Sequence, residues 1–160
     1  MLNNEAVLEF LAFVRTLEDP VPRGFVKGFL EGVIHHPVSE EFLSTMVNES
    51  LKVPARVWRD YWEGVALTVD HRARLGEIGA PTLILWGEQD LLLSREEQER
   101  MAVAIPDARL RVYPETGHLV HWERPERFIR DLEAFMKIAP STRWPSDKRS
   151  SATSRENRDS

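Results

Sequence analysis

Asp90 and His118 are the residues of this sequence best suited to chemistry. Each ends a short apolar run followed by a turn: residues 81–90 read PTLILWGEQD and residues 108–118 read ARLRVYPETGH. A carboxylate beside an imidazole holds the ring in one tautomer and stabilises its cation, so the ring can serve as a general base. An acid followed 28 residues later by a histidine is the second half of a triad in the chain order nucleophile, acid, histidine. The first half would be a G-x-S-x-G elbow, and no such motif occurs in the 160 residues.

Other serines do not replace it. Ser39 and Ser94 read as helix N-caps, Ser44 and Ser50 fall within a helical pattern, and the remainder lie beyond residue 139. His121 and Glu123 complete an H-x-x-H-x-E string with His118, but two imidazoles three apart share a face only in a helix. The Gly117 context predicts a loop there, so neither a metal site nor a cofactor is expected, and His121 reads as packing or pocket lining. Trp58, Tyr61 and Trp62 could line an apolar substrate pocket or simply pack a core, and both readings stand. The substrate-binding candidates are therefore Trp58, Trp62 and His121. His35-His36 reads as the frayed end of a helix and Asp70-His71 as a solvated connection. Gly24, Gly28 and Gly32 suggest close helix packing or a pliable segment, since Lys27 and Glu31 rule out a lipid-facing helix.

Two kinds of element must position these residues. Residues 1–68 read as a run of helices. Ala6, Val7, Phe10, Leu11, Val14 and Leu17 have amphipathic spacing, and Phe25, Phe29, Val33 and Ile34 mark a second helix stopping before Pro37. Ser39 opens a third with Phe42, Leu43, Met46 and Val47, and Pro54 a fourth with Val57, Trp58, Tyr61, Trp62 and Val65. The pattern then changes. Residues 82–86 form a continuous apolar strand of the kind buried on both faces, and Ser94 with Glu97 forms a capping box for a helix to about residue 104. A short alternating strand spans 110–113, and Pro125 starts a last helix with Phe128, Ile129, Leu132, Phe135 and Met136 on one side. Strand, helix, strand and helix at this spacing predict a parallel βαβα unit over 69–138. Both Asp90 and His118 then lie just past the carboxyl ends of neighbouring strands, where parallel sheets gather their ligand-facing residues. Residues 139–160 lose all periodicity and read as a disordered tail.

Composition bounds the function. Hydrophobic residues make up 42% and charged residues 29%, ordinary for a globular chain. Cysteine is absent, which excludes disulfides, thiolate metal sites and a Cys nucleophile. The net charge of −5 divides into about −7 for the body and +2 for the tail, so no basic stripe is available for nucleic acid. No apolar run reaches the ~18 residues of a membrane span, and the start lacks the basic n-region of a signal peptide, so a cytoplasmic protein is expected.

With those residues in view, APTLILWGEQD followed by IPDARLRVYPETGHLVHWERPERFIRDLEAF resembles the C-terminal part of the α/β-hydrolase family. Gly87 to Asp90 match the G-x-x-D that ends one late strand of that family. Gly117-His118 match its x-G-H, with Trp122, Glu123 and Pro125 following as the family's aromatic, Glu and Pro. The resemblance spans roughly residues 1–138 and implies a partial α/β-hydrolase fold, with Asp90 as triad acid, His118 as triad base and residues 1–68 as the helical cap and its flanks. The first strands, the oxyanion-hole loop and the nucleophile elbow of the family have no match here.

The resulting expectation is a hydrolase of a small, apolar, ester-like substrate, inactive until an N-terminal half supplies the nucleophile. Ser or Asp as nucleophile, and ester, epoxide, halide or C–C bond as target, remain alternatives. The competing expectation is a non-catalytic interaction module, or a truncated gene product that needs a partner to fold. Two strands make a very small sheet, so self-association through an exposed sheet edge is expected as well.

Overall fold

A computed structural model describes residues 5–66 and 70–138, and the side chains of 8–64 and 70–138 within them. The expected disorder of 139–160 lies outside the described residues, as do the side chains of Ala6, Val7 and Val65. Four helices come first: α1 (Glu5–Arg15), α2 (Arg23–Val33), α3 (Glu40–Ser50) and α4 (Ala55–Asp60). Their starts follow from local chemistry. The Ser39 hydroxyl accepts the Phe42 N–H at 3.2 Å, with Glu40 and Glu41 favourably placed in the first turn of α3. At α4 the donor of Ala55 is satisfied from a distance, by the Asp19 carboxylate at 2.7 Å. The fourth helix is not regular to its end: Tyr61–Ala66 form a π-helical turn, with Gly64 weakening the preference for α geometry there.

Val14, Leu17, Val21, Val26, Leu30, Leu43, Met46, Val47 and Ala55 make one buried cluster among these helices. The apolar stripes of α2 and α3 thus meet at their i, i+3, i+4 positions, as the spacing requires. Gly24, Gly28 and Gly32 play no part in that contact. A Cβ at any of them would meet nothing within 4 Å, so the expected close packing through the glycines does not occur; they lie on the open side of α2.

A 3-10 turn (Arg72–Glu77) leads to the sheet. Strand β1 (Thr82–Gly87) and strand β2 (Ala108–Tyr113) pair in parallel from Thr82 opposite Ala108 to Gly87 opposite Tyr113. Helix α5 (Arg95–Ala104) makes the crossover, opened by a complete Ser94–Glu97 capping box. One turn, α6 (Val120–Glu123), and the long α7 (Pro125–Ile138) close the described chain. Strand β1 is less enclosed than its apolar sequence suggests: Ile84, Trp86 and Gly87 are buried, but Leu83 and Leu85 are only half-buried. Two strands and two helices cannot cover both faces, and β1 has no second strand partner among the described residues. The same shortage shows on α7, none of whose residues is buried and which leaves Ile129 51% and Met136 68% exposed.

The two halves meet through α6. Trp122 packs edge-on against Phe42 of α3, and Leu119 and Trp122 both border the helical core.

Candidate active site

The site is built where β1 and β2 end. Two glycines let their turns touch. A Cβ on Gly87 would overlap the carbonyl oxygens of Thr116 and Gly117, and one on Gly117 would come within 2.6 Å of the Val33 carbonyl oxygen and 2.7 Å of the His35 nitrogen. Glycine is required at both positions by this close approach, not by an unusual φ. Backbone hydrogen bonds then lock the turns together: Glu88 N–H donates to Tyr113 O and Gln89 N–H to Thr116 O, both at 2.9 Å.

This clamp puts Asp90 beside His118. The Asp90 Oδ1 accepts the N–H groups of Leu92 at 2.8 Å and Leu93 at 3.1 Å, leaving Oδ2 to face the His118 Nδ1 at 2.9 Å. The Asp90 side chain is 3% exposed and that of His118 31% exposed. A carboxylate with one oxygen pinned by backbone donors presents the other in a fixed direction. With the Nδ1–H donated to Asp90, the neutral ring carries its lone pair on Nε2, and among the described residues no hydrogen bond reaches that atom. The hydrogen bond to Asp90 raises the His118 pKa above its ordinary 6.5; burial opposes this, and the charges of Asp90 and Glu123 add to the rise.

Expectations for the other candidates divide. Asp90 and His118 are brought together. His121 lies on the exposed side of α6, its ring 5.0 Å from Trp122 and 5.9 Å from Phe128, with its pKa lowered by burial and by His118. The loop expected for this stretch is a helical turn instead, because Val120 and Glu123, three apart, both face inward. Trp58 and Trp62 lie in the helical half, within an aromatic cluster: Trp58 packs edge-on against Phe25 and Phe29, and Trp62 against Phe10 and Phe29. They also border an apolar recess of about 220 Å³ with Phe29, Val53, Val57 and Tyr61. The two tryptophans therefore pack an aromatic cluster and at the same time border an apolar recess. The Trp58 indole N–H is buried without a hydrogen-bond partner among the described residues.

Sequence reasoning missed what Glu123 does. Its carboxylate is buried at 4% exposure and collects the backbone N–H groups of His35 (3.0 Å), His36 (2.7 Å), Gly117 (2.8 Å) and Leu119 (3.1 Å). The His35-His36 segment is therefore held in place rather than frayed: α2 stops at Val33, and the freed donors go to this carboxylate. Arg124 adds to the same junction, reaching Thr116 Oγ1, Glu115 O and the His36 ring. The available signal was the spacing of Glu123 from Val120, which puts an acid on the inner face of a single turn.

Known proteins give the arrangement a context. Residues 3–131 match the sequence profile of the Alpha/beta hydrolase family. A 2-hydroxy-6-oxo-6-phenylhexa-2,4-dienoate hydrolase from Burkholderia cepacia is 33% identical over 90 residues, which are 56% of this chain and 28% of that protein. Among solved structures, an esterase from Exiguobacterium antarcticum aligns with a TM-score of 0.69 at 25% identity, over 83% of this chain and 48% of its own. A hydrolase from Pseudomonas aeruginosa PA01 aligns with a TM-score of 0.67 at 26% identity, over 83% of this chain and 51% of its own. The chain spans about half the length of these structures and a smaller share of the curated relative.

Proposed function

Because this chain belongs to the alpha/beta hydrolase family and carries part of that fold, we propose that Asp90 and His118 are the acid and base of a nucleophile–Asp–His triad that hydrolyses a small, apolar carbonyl compound. The observation that carries the reading is the 2.9 Å approach of His118 Nδ1 to an Asp90 carboxylate whose other oxygen is already held. In this role Asp90 fixes the tautomer, and Nε2 takes the proton of the attacking hydroxyl. The imidazolium so formed is stabilised by Asp90 and returns the proton to the leaving group.

Helices within residues 1–68 serve as the cap, and the recess at Trp58 and Trp62 takes the apolar part of the substrate. His121, three residues after the base on the exposed side of α6, is the remaining substrate-binding candidate and lies outside the residues that line that recess. The relative from Burkholderia cepacia, named for an oxo-dienoate, supports a carbonyl substrate over an epoxide or halide, with ester or C–C bond cleavage as the reaction.

The 160 residues contain no G-x-S-x-G elbow, and three of the four described serines have other duties, while the fourth, Ser50, ends α3 rather than a strand. Ser39 and Ser94 cap helices and Ser44 bonds Arg23. The nucleophile and oxyanion hole therefore come from a polypeptide beyond these residues. The test is hydrolysis of a p-nitrophenyl ester. The 160-residue chain alone is expected to show no turnover above buffer. A longer chain that includes an elbow is expected to turn over, and to lose activity in His118→Ala and Asp90→Asn. Turnover by the 160-residue chain that His118→Ala abolishes would contradict an external nucleophile.

A further inference from the structure

The triad reading gives Glu123 no part, yet its carboxylate is the most heavily bonded side chain in the described structure. A buried carboxylate is costly unless its lone pairs are satisfied. Here four backbone donors satisfy it, and they come from two places. Gly117 and Leu119 flank His118; His35 and His36 follow α2 in the helical half. The His118 N–H itself donates to the Val33 carbonyl at 2.9 Å, closing the junction on its third side. The backbone on both sides of the proposed base is thus tied, through one side chain, to the end of α2.

We propose that Glu123 is a positioning residue, whose carboxylate sets the height of the His118 turn against Asp90 and couples that turn to the helical half. Donors aimed at one carboxylate oxygen define a position to within a hydrogen-bond length, which a packed apolar side chain in the same turn would not do. The coupling has a direction. A displacement of the segment after α2 pulls on the same oxygen that holds Gly117, so movement of the helical half reaches His118 without passing through the sheet. Its importance for turnover rests on His118 being the base proposed above, while its geometric content stands apart from any activity.

The test uses the imidazole nitrogen spectrum of His118 in the 160-residue chain. Glu123→Gln keeps the shape but removes the charge and sets an amide NH2 against at least one donor, that of Leu119 when the oxygen keeps the other three, whereas Met46→Ala destabilises the helical core and leaves the carboxylate and its four donors in place. The expected result is loss or broadening of the His118 Nδ1–H signal in Glu123→Gln, with that signal intact in Met46→Ala. The Nδ1–H signal discriminates better than the titration midpoint, because removing a nearby negative charge lowers the midpoint by itself. An intact signal in Glu123→Gln, or an equal loss in Met46→Ala, would overturn the proposal. Amide exchange on the unmodified chain provides a second measurement. The N–H groups of His35, His36, Gly117 and Leu119 are expected to be as protected as the β1–β2 ladder. Exchange of these four at open-loop rates would overturn it whether or not either variant folds.

Discussion

Gly87 and Gly117 meet backbone to backbone at the ends of β1 and β2, closely enough that a Cβ on either would overlap a neighbouring backbone atom. This contact is what places Asp90 and His118 in register. Gly87→Ala and Gly117→Ala are each expected to cost about 3 kcal/mol, the upper range for overpacking of a rigid site. Denaturant unfolding checks this. A methyl tolerated at both positions with an unchanged midpoint would show that the turns do not approach as described.

Asp90→Asn removes the anion that His118 faces, and a hydrogen bond to a charged group of this burial contributes about 2 kcal/mol. The pH dependence has a definite sign. The His118 pKa is raised by folding, so its contribution is fully present below 6.5 and is lost as pH rises through the folded value. The stability gap between the unmodified chain and Asp90→Asn should therefore be larger at about pH 5.5 than at about pH 8.5. Urea melts at the two pH values measure it, and a gap that widens toward alkaline pH would contradict the pairing.

Ser94→Ala should cost about 1 kcal/mol, because it removes the hydroxyl that accepts the Glu97 N–H, one half of the capping box at α5, while the backbone N–H of residue 94 can still donate to Glu97. Tyr113→Phe should cost a similar ~1 kcal/mol by deleting the 2.7 Å bond from the fully buried tyrosine to Asp131, which ties β2 to α7. Thermal melts distinguish these modest losses from the larger ones at the glycines.

Among the described residues β1 has one unpaired edge, and Ile129 and Met136 on α7 are exposed, so the chain is predicted to associate. The isolated chain is expected to elute above its 18.5 kDa mass in a concentration-dependent way. A sharp monomeric peak with cooperative melting would contradict it.

Much of this was legible in the sequence. Periodicity at Val26, Leu30, Met46 and Val47, the caps at Ser39 and Ser94, and the two apolar runs located most elements and brought Asp90 and His118 to neighbouring strand ends. What escaped was long-range. The partners of Glu123 lie up to 88 residues away, so no local pattern shows that His35 and His36 are anchored. The π-helical turn after α4 and the helical turn around His121 depend on which side chains find a core, a choice made by tertiary packing rather than by propensity. The glycines of α2 misled for the same reason, since spacing allows close packing but does not supply a neighbour.

The central claim is that Asp90 and His118 form a working acid–base pair, and the most direct measurement is the nitrogen-detected titration of the His118 imidazole. A midpoint above 6.5, with Nδ1 protonated throughout and a fall toward 6.5 in Asp90→Asn, is the result predicted here. A midpoint at or below 6.5 that Asp90→Asn leaves unmoved would contradict the pair, and the proposed triad with it.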